Sequence, residues 1–406
     1  MMTRTNFENS GMRLWLRRLY FALVVISFVL WFSHPGWVYF ALQRGLYIPV
    51  PVVFVTSSGL LIVARFFLVI LDVLPLTRGV IFLYGTLLLI SLRVLIGFYL
   101  GELQDIPEDL VASTVAQAIV YAWFLSLLGE GSAMLVVMQR LYFQRWLFFV
   151  FVLLLLALLY GVTRSAVDGR GFYFDFFVDD SQEIFNYHSI GDSLAVVAIL
   201  LFGRSLAIGL LASLLLALSY SRTSFVGYLA ALVLTGRWRG ISLRILLRNQ
   251  VILVLLSSLA VLGGVLLWDS VGEIVFIERI ASLLTGDEAS LRERLNLFRE
   301  FGNLVLSYGL LGAFLYEVRD GGPGTYIHSI LSYWLEYGII PFMGVVLTVA
   351  LGFVAALKDH KKGRSIALTL MVFVVVSAVF SRSYVWPYLW YGLGFSLAWS
   401  AGGNER

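Results

Sequence analysis

The chain has 406 residues, of which 60% are hydrophobic, 15% aromatic and only 13% charged, with a formal net charge of +4. So little polar surface cannot cover a water-soluble globule, so lipid must be the main solvent and the expected class is an integral membrane protein. The absence of cysteine excludes disulfides and thiolate metal sites.

Residues 1–18 carry Arg4, Arg13, Arg17 and Arg18 against the single acid Glu8. No small-residue cleavage site follows the next apolar run, which is therefore read as a retained first helix. Apolar runs long enough, or nearly so, to span a bilayer cover about 16–33, 50–74, 79–100, 110–129, 146–163, 192–203, 205–220, 223–236, 250–268, 334–357, 365–380 and 384–400. The expected fold is an all-α polytopic membrane protein of about 12 transmembrane helices in a single domain spanning 1–406. The pair of runs flanking Ser221-Arg222 can also be read as one long broken helix.

Arginine and lysine collect on the cytoplasmic side of membranes. With the N-terminus inside, Arg78, Arg140, Arg145, Arg204, Arg237, Arg239, Arg244, Arg248, Lys358, Lys361, Lys362 and Arg364 join the basic start on that side. The opposite side receives most of the acids, among them Glu102, Asp105, Glu108, Asp109, Asp179, Asp180 and Asp192. Both termini are expected in the cytoplasm, with a smaller outer loop at 164–191 and a large one at 269–333 between the ninth and tenth helices. In the large loop Ser290 precedes Leu291, Leu295, Phe298 and Phe301, a helical-period apolar stripe suited to lying on a membrane surface.

That loop also holds Arg279, Arg292, Arg294, Arg299 and Arg319 and no lysine. Guanidinium forks match phosphate oxygens and stay charged beside lipid, so an anionic substrate group is one reading. Pairing with Glu293 and Glu300 on a solvated face is the other. Arg222 interrupts apolar sequence with almost no polar loop around it, which calls for compensation by snorkelling or by a phosphate contact in a cavity. Arg65 and Arg93 lie inside apolar runs near opposite ends of their helices, where snorkelling is the expected behaviour.

His328, in Gly321-Gly322-Pro323-Gly324-Thr325-Tyr326-Ile327-His328-Ser329, sits between a polar loop and an apolar run. An imidazole at a water–lipid boundary is a candidate base for a hydroxyl of a lipid-borne substrate. A satisfied loop histidine is the plainer alternative, and His34, His188 and His360 also occur. Asp179-Asp180 lacks the further ligands of a metal site. Asp105, Pro107, Glu108 and Asp109 read as the start of the fourth helix.

The stretch from Tyr326 through His328 to Glu336-Tyr337-Gly338-Ile339-Ile340 resembles the signature of the bacterial O-antigen polymerase and O-antigen ligase superfamily. Ser221-Arg222-Thr223, Arg294-Leu295-Asn296-Leu297-Phe298 and Gly309-Leu310-Leu311-Gly312 fall in that family's order. The chain departs from the pattern at Ser329, where asparagine often follows the histidine, at Phe298, and at Ala313-Phe314.

The resemblance implies a metal-independent, inverting membrane glycosyltransferase of the GT-C-like type, with no cofactor. Its donor would be a glycan on undecaprenyl pyrophosphate at the periplasmic face of the bacterial inner membrane, and its acceptor another glycan or lipid-linked unit. Under that implication His328 is the catalytic base and Arg222 and Arg294 bind the pyrophosphate, with Ser221, Tyr326 and Glu336 in support. Glu336 lies about 12 Å along a helix from His328 and on another face. Polymerisation of repeat units is the leading expectation, with a chain-length regulator as candidate partner and no nucleic acid involved. Ligation of the finished polymer to lipid A-core is the alternative. A transporter or flippase is a distant third, because no internal symmetry or paired helix interruption is found.

Overall fold

Lipid satisfies no backbone hydrogen bond, so apolar segments that enter it must close their own bonds as helices. A computed structural model describes residues 4–46, 50–74, 76–104, 106–138, 140–167, 177–178, 183–184, 187–202, 206–219, 221–238, 296, 299, 301–303, 305–315, 329–360 and 365–399. The described helices, in chain order, are α1 (Arg4–Leu42), α2 (Val50–Ile70), α3 (Arg78–Tyr99), α4 (Glu108–Val115), α5 (Tyr121–Met138), α6 (Arg140–Val167), α7 (Tyr187–Phe202), α8 (Leu206–Leu218), α9 (Arg222–Trp238), α10 (Ser332–Tyr337), α11 (Ile339–His360), α12 (Ile366–Phe380) and α13 (Tyr388–Trp399). Residues Ala116–Val120 form a π-helical turn that joins α4 to α5 without a break. The smaller loop adds an antiparallel pair, β1 (Phe177–Val178) and β2 (Glu183–Ile184), with Phe177 opposite Ile184.

Six helical stretches among the described residues are long and apolar enough to cross a membrane, and α7, α8, α9 and α12 contribute shorter apolar helices. The chain is thus a helical membrane protein. The run at 250–268 lies outside the described residues. Several boundaries differ from expectation, among them the run at 110–129, which continues to Met138. The first helix extends well past residue 33 and carries Pro35 inside it. The run at 334–357 is divided: α10 ends at Gly338, whose φ of 82° no other residue type adopts readily, and α11 begins after it. Around Ser221 there are two helices, α8 and α9, rather than one broken helix.

Without a hydrophobic drive between helices in lipid, close packing depends on small residues. α13 lies against α5, and a Cβ on Gly129 would come within 2.2 Å of the Tyr391 carbonyl oxygen, one on Gly394 within 2.1 Å of that of Ser126. Aromatic rings from α1, α2, α5, α6 and α13 fill the adjoining core, with Phe28 edge-on to Phe143 and Trp31 edge-on to Phe54, Tyr121 and Phe124.

Arg65 does not snorkel. It is fully buried, and its Nε and Nη2 donate to the two oxygens of Glu130 at 3.0 and 2.5 Å, while Nη1 donates to the Leu74 carbonyl at 2.5 Å. The Tyr84 hydroxyl donates to Glu130 Oε2 at 2.5 Å, so one bidentate pair ties α2, α3 and α5. Glu130→Ala should strand the guanidinium and lower stability by about 3–5 kcal/mol. Thermal unfolding of the purified protein in detergent checks this, and a variant that melts with the wild type would show the pair to be dispensable.

Candidate functional site

The residues of interest gather around two backbone crossings. In the first, residues 309–315 run across α10. The Trp334 indole N–H donates to the Gly309 carbonyl at 2.9 Å, Ala313 N–H to Leu335 O at 2.8 Å, and Ile339 N–H to Leu310 O at 3.3 Å. Gly312 has φ 73°, and a Cβ there would stand 2.3 Å from the Gly338 nitrogen; one on Gly338 would stand 2.5 Å from the Leu310 oxygen. The two glycines therefore let two backbones touch, which explains why the Gly309-to-Gly312 step and the Glu336-to-Gly338 step occur in one chain.

Glu336 is fully buried and accepts the Leu315 N–H at 2.6 Å, a bond that fixes the turn entering residues 316–328. It therefore packs and orients. The single helix expected from His328 through Glu336 is corrected: residues 329–331 form a turn and α10 starts at Ser332.

Arg93 does not snorkel either. Its Nη2 donates to the Gly312 carbonyl and to Glu102 Oε2, each at 2.9 Å, and its Nε donates to the Leu311 carbonyl. The guanidinium staples this crossing to the end of α3.

The second crossing joins the start of α7, the α8–α9 turn and the α12–α13 connection. α8 stops where Ser219 turns its hydroxyl back on Leu216 O and receives the Ser221 N–H, and α9 begins with Phe225 N–H bonded to Ser221 O. Gly191 permits α7 to press on this turn, since a Cβ there would lie 2.6 Å from Ser221 Cβ and 3.0 Å from Ser224 Oγ. Asp192, expected among the outer-face acids, is only 2% exposed. Its Oδ1 accepts from Ser224 Oγ at 2.5 Å and Arg382 Nη2 at 2.9 Å, and its Oδ2 from the Trp386 indole at 2.8 Å. Ser221 Oγ lies 2.6 Å from Ser224 Oγ and 3.1 Å from His188 Nδ1. Thr223 and Ser381 hydroxyls meet at 2.6 Å.

The α12–α13 connection bridges the two crossings. Tyr384 N–H donates to Ser332 Oγ at 2.8 Å, and Ser332 in turn donates to Ser329 O at 2.8 Å. A path therefore runs by hydrogen bonds from Ser221 through Ser224 to Arg382, along the backbone to Tyr384, and by hydrogen bonds through Ser332 to Ser329, the residue after His328. Ser221 and Glu336 are both part of this assembly. Arg222 opens α9, while its side chain, together with Arg294, Tyr326 and His328, lies outside the described residues. Arg279, Arg292, Arg319 and Asp179-Asp180 lie outside them as well. Of the stripe in the large loop, Phe301 is described, with its ring edge-on to Trp334 at 6.0 Å.

Sequence reasoning passed over Asp192, Arg382, Trp386 and the pairing of His188. One signal was available: Ser381-Arg382-Ser383 repeats the pattern of Ser221-Arg222-Thr223, a cation beside hydroxyls at a break between apolar helices. Among the described residues no cluster of three or more His, Asp or Glu side chains forms a metal site. No protein-family model matches the chain, and no curated protein matches it.

Gly312→Ala should be among the most damaging single changes, because left-handed backbone strain of about 1–3 kcal/mol adds to a collision with Gly338 that neither backbone can relieve. The yield and melting temperature of folded protein measure it; a variant with wild-type values would refute the interlock.

Proposed function

We propose that this protein is a membrane glycosyltransferase that polymerises undecaprenyl-pyrophosphate-linked oligosaccharide units into O-antigen or a related surface polysaccharide at the outer face of the inner membrane. The observation that carries the reading is the joining of separate motifs: Ser221-Arg222-Thr223, Ser329 and the Gly309-to-Gly312 and Glu336-to-Gly338 steps, more than a hundred residues apart at the extremes, are bonded into one assembly. In this reading the chain has about 12 spans, both termini face the cytoplasm, and the 269–333 loop covers the site from the periplasm.

The chemistry divides by residue type. Arg222 and Arg294 hold the diphosphate of the donor and stabilise the charge that grows on it as the glycosidic C–O bond breaks. His328 takes the proton of the acceptor hydroxyl as its oxygen attacks the anomeric carbon from the opposite side, which inverts that centre. Diphosphate leaves on its lipid, and the glycan is longer by the transferred chain. Ser221 and Glu336 hold the two turns that carry these groups, and Tyr326 supports the histidine. The acceptor is another lipid-linked repeat unit.

His328→Ala should abolish polymer formation from purified lipid-pyrophosphate-linked repeat units, with the protein still folded, because in the sequence the residue follows a polar, glycine-rich segment rather than lying within an apolar run. Ladders of near-normal length from that variant would remove histidine from the role of base. Arg222→Lys should lose on the order of 10- to 1000-fold in turnover, since a point charge cannot replace a planar fork. Supplying lipid A-core in the same assay distinguishes ligation, which would give conjugates where polymerisation gives ladders.

A further inference from the structure

The hydroxyl protons that link Asp192 to His188 can be assigned one by one. Both oxygens of Asp192 face obligate donors, Arg382 Nη2 at 2.9 Å and the Trp386 indole N–H at 2.8 Å, so the carboxylate accepts on both sides. Ser224 has one proton, and it goes to Asp192 Oδ1 at 2.5 Å. In the 2.6 Å contact between the two serines Ser221 must therefore be the donor, and Ser224 Oγ fills its second acceptor position from Arg382 Nη2 at 3.2 Å. Ser221 has then spent its only proton, so in the 3.1 Å contact with His188 the imidazole Nδ1 must donate.

We propose that Asp192 is a positioning residue that acts through this relay. By way of Ser224 and Ser221 it fixes His188 as the Nδ1–H tautomer, so that Nε2 is the nitrogen at which the ring gains and loses its proton. The same relay sets the turn from which Arg222 enters α9. Burial makes the device stringent: Asp192, Ser221 and Ser224 are at most 2% exposed, so no water competes for the hydroxyls. Gly191 leaves the room that the two serines occupy, since a Cβ there would lie 2.8 Å from Ser221 Oγ and 3.0 Å from Ser224 Oγ. Arg382 and Trp386 hold the carboxylate, and Arg382 also stacks toward the Trp386 ring with its guanidinium carbon 5.8 Å from the ring centre. The placing of a proton on Nδ1 follows from these contacts. The claim that it serves catalysis rests on the glycan-transfer reading above.

The test is nitrogen NMR of the full-length protein in nanodiscs with ring-labelled histidine, using His188→Gln to identify the His188 signals. The wild type should show a protonated Nδ1 and an unprotonated Nε2 in the neutral ring. Ser224→Ala frees the Ser221 proton to point at Nδ1 and should move His188 toward the Nε2–H form, with Arg382 and Trp386 still holding Asp192. Ser221→Ala makes the cut one link later and should abolish the Nδ1–H preference, which keeps the question open should the first variant not fold. A wild-type ring in the Nε2–H form, or one that either variant leaves unchanged, overturns the relay. On the same samples, glycan transfer by Ser224→Ala should fall on the order of 10- to 100-fold in kcat with KM little altered. A switched tautomer with wild-type kcat overturns the positioning role, whereas a wild-type protein with the predicted tautomer and no transfer activity leaves the relay standing and defeats the functional reading instead.

Discussion

A guanidinium carried into a lipid-embedded bundle must find a carboxylate there, and this constraint organises the molecule. Three arginine–carboxylate pairs are present among the described residues: Arg65 with Glu130, Arg93 with Glu102, and Arg382 with Asp192. Each also bonds to something beyond its partner. Arg65 reaches the Leu74 carbonyl, Arg93 the carbonyls of Leu311 and Gly312, and Arg382 the Ser224 hydroxyl. A buried pair gains little net stability over apolar packing, but it penalises every arrangement that separates its members. What the three pairs confer is therefore uniqueness: α2, α3 and α5 in one register, residues 311–312 on the end of α3, and α7 against the start of α9.

From this follows a division of labour among the motif residues. Glycine and glutamate in the Gly309-to-Gly312 and Glu336-to-Gly338 steps serve backbone approach, since Gly312 and Gly338 leave no room for a Cβ and Glu336 accepts the Leu315 N–H. Ser221 and Ser224 serve a hydrogen-bond relay anchored on a buried acid. In the proposed reading the chemical roles fall instead to His328, Arg222 and Arg294, whose side chains lie outside the described residues. Such a separation lets loop residues meet a substrate while the supporting turns stay rigid.

Hydropathy made most helices legible, because 20 apolar residues in lipid have few alternatives: the runs at 50–74, 79–100 and 365–380 are matched by α2, α3 and α12 to within a few residues. The break at Gly338 was not legible. Its cause is the Leu310 carbonyl and the Gly312 backbone, some 26 residues upstream, and a local apolar pattern carries no trace of them. Arg65 and Arg93 were read as snorkelling for the same reason; Glu130 stands 65 residues from Arg65, and the carbonyls that receive Arg93 stand 218 and 219 residues away. Ser221 and Glu336 entered through the family resemblance, and the sequence carries no sign of the bonds they make. Asp192 was hidden by its company, since an acid beside other outer-loop acids looks solvated until Arg382, 190 residues on, is brought to it.

The central claim is that this frame delivers two guanidinium forks and an imidazole to one diphosphate on the outer side of the membrane. A cryo-EM map of the protein with an undecaprenyl-pyrophosphate-linked glycan tests that most directly. The account predicts density for the diphosphate between Arg222 and Arg294, with His328 facing the reducing-end sugar and the cavity opening to the periplasm. Diphosphate bound elsewhere, or the three side chains in separate compartments or toward the cytosol, would contradict it.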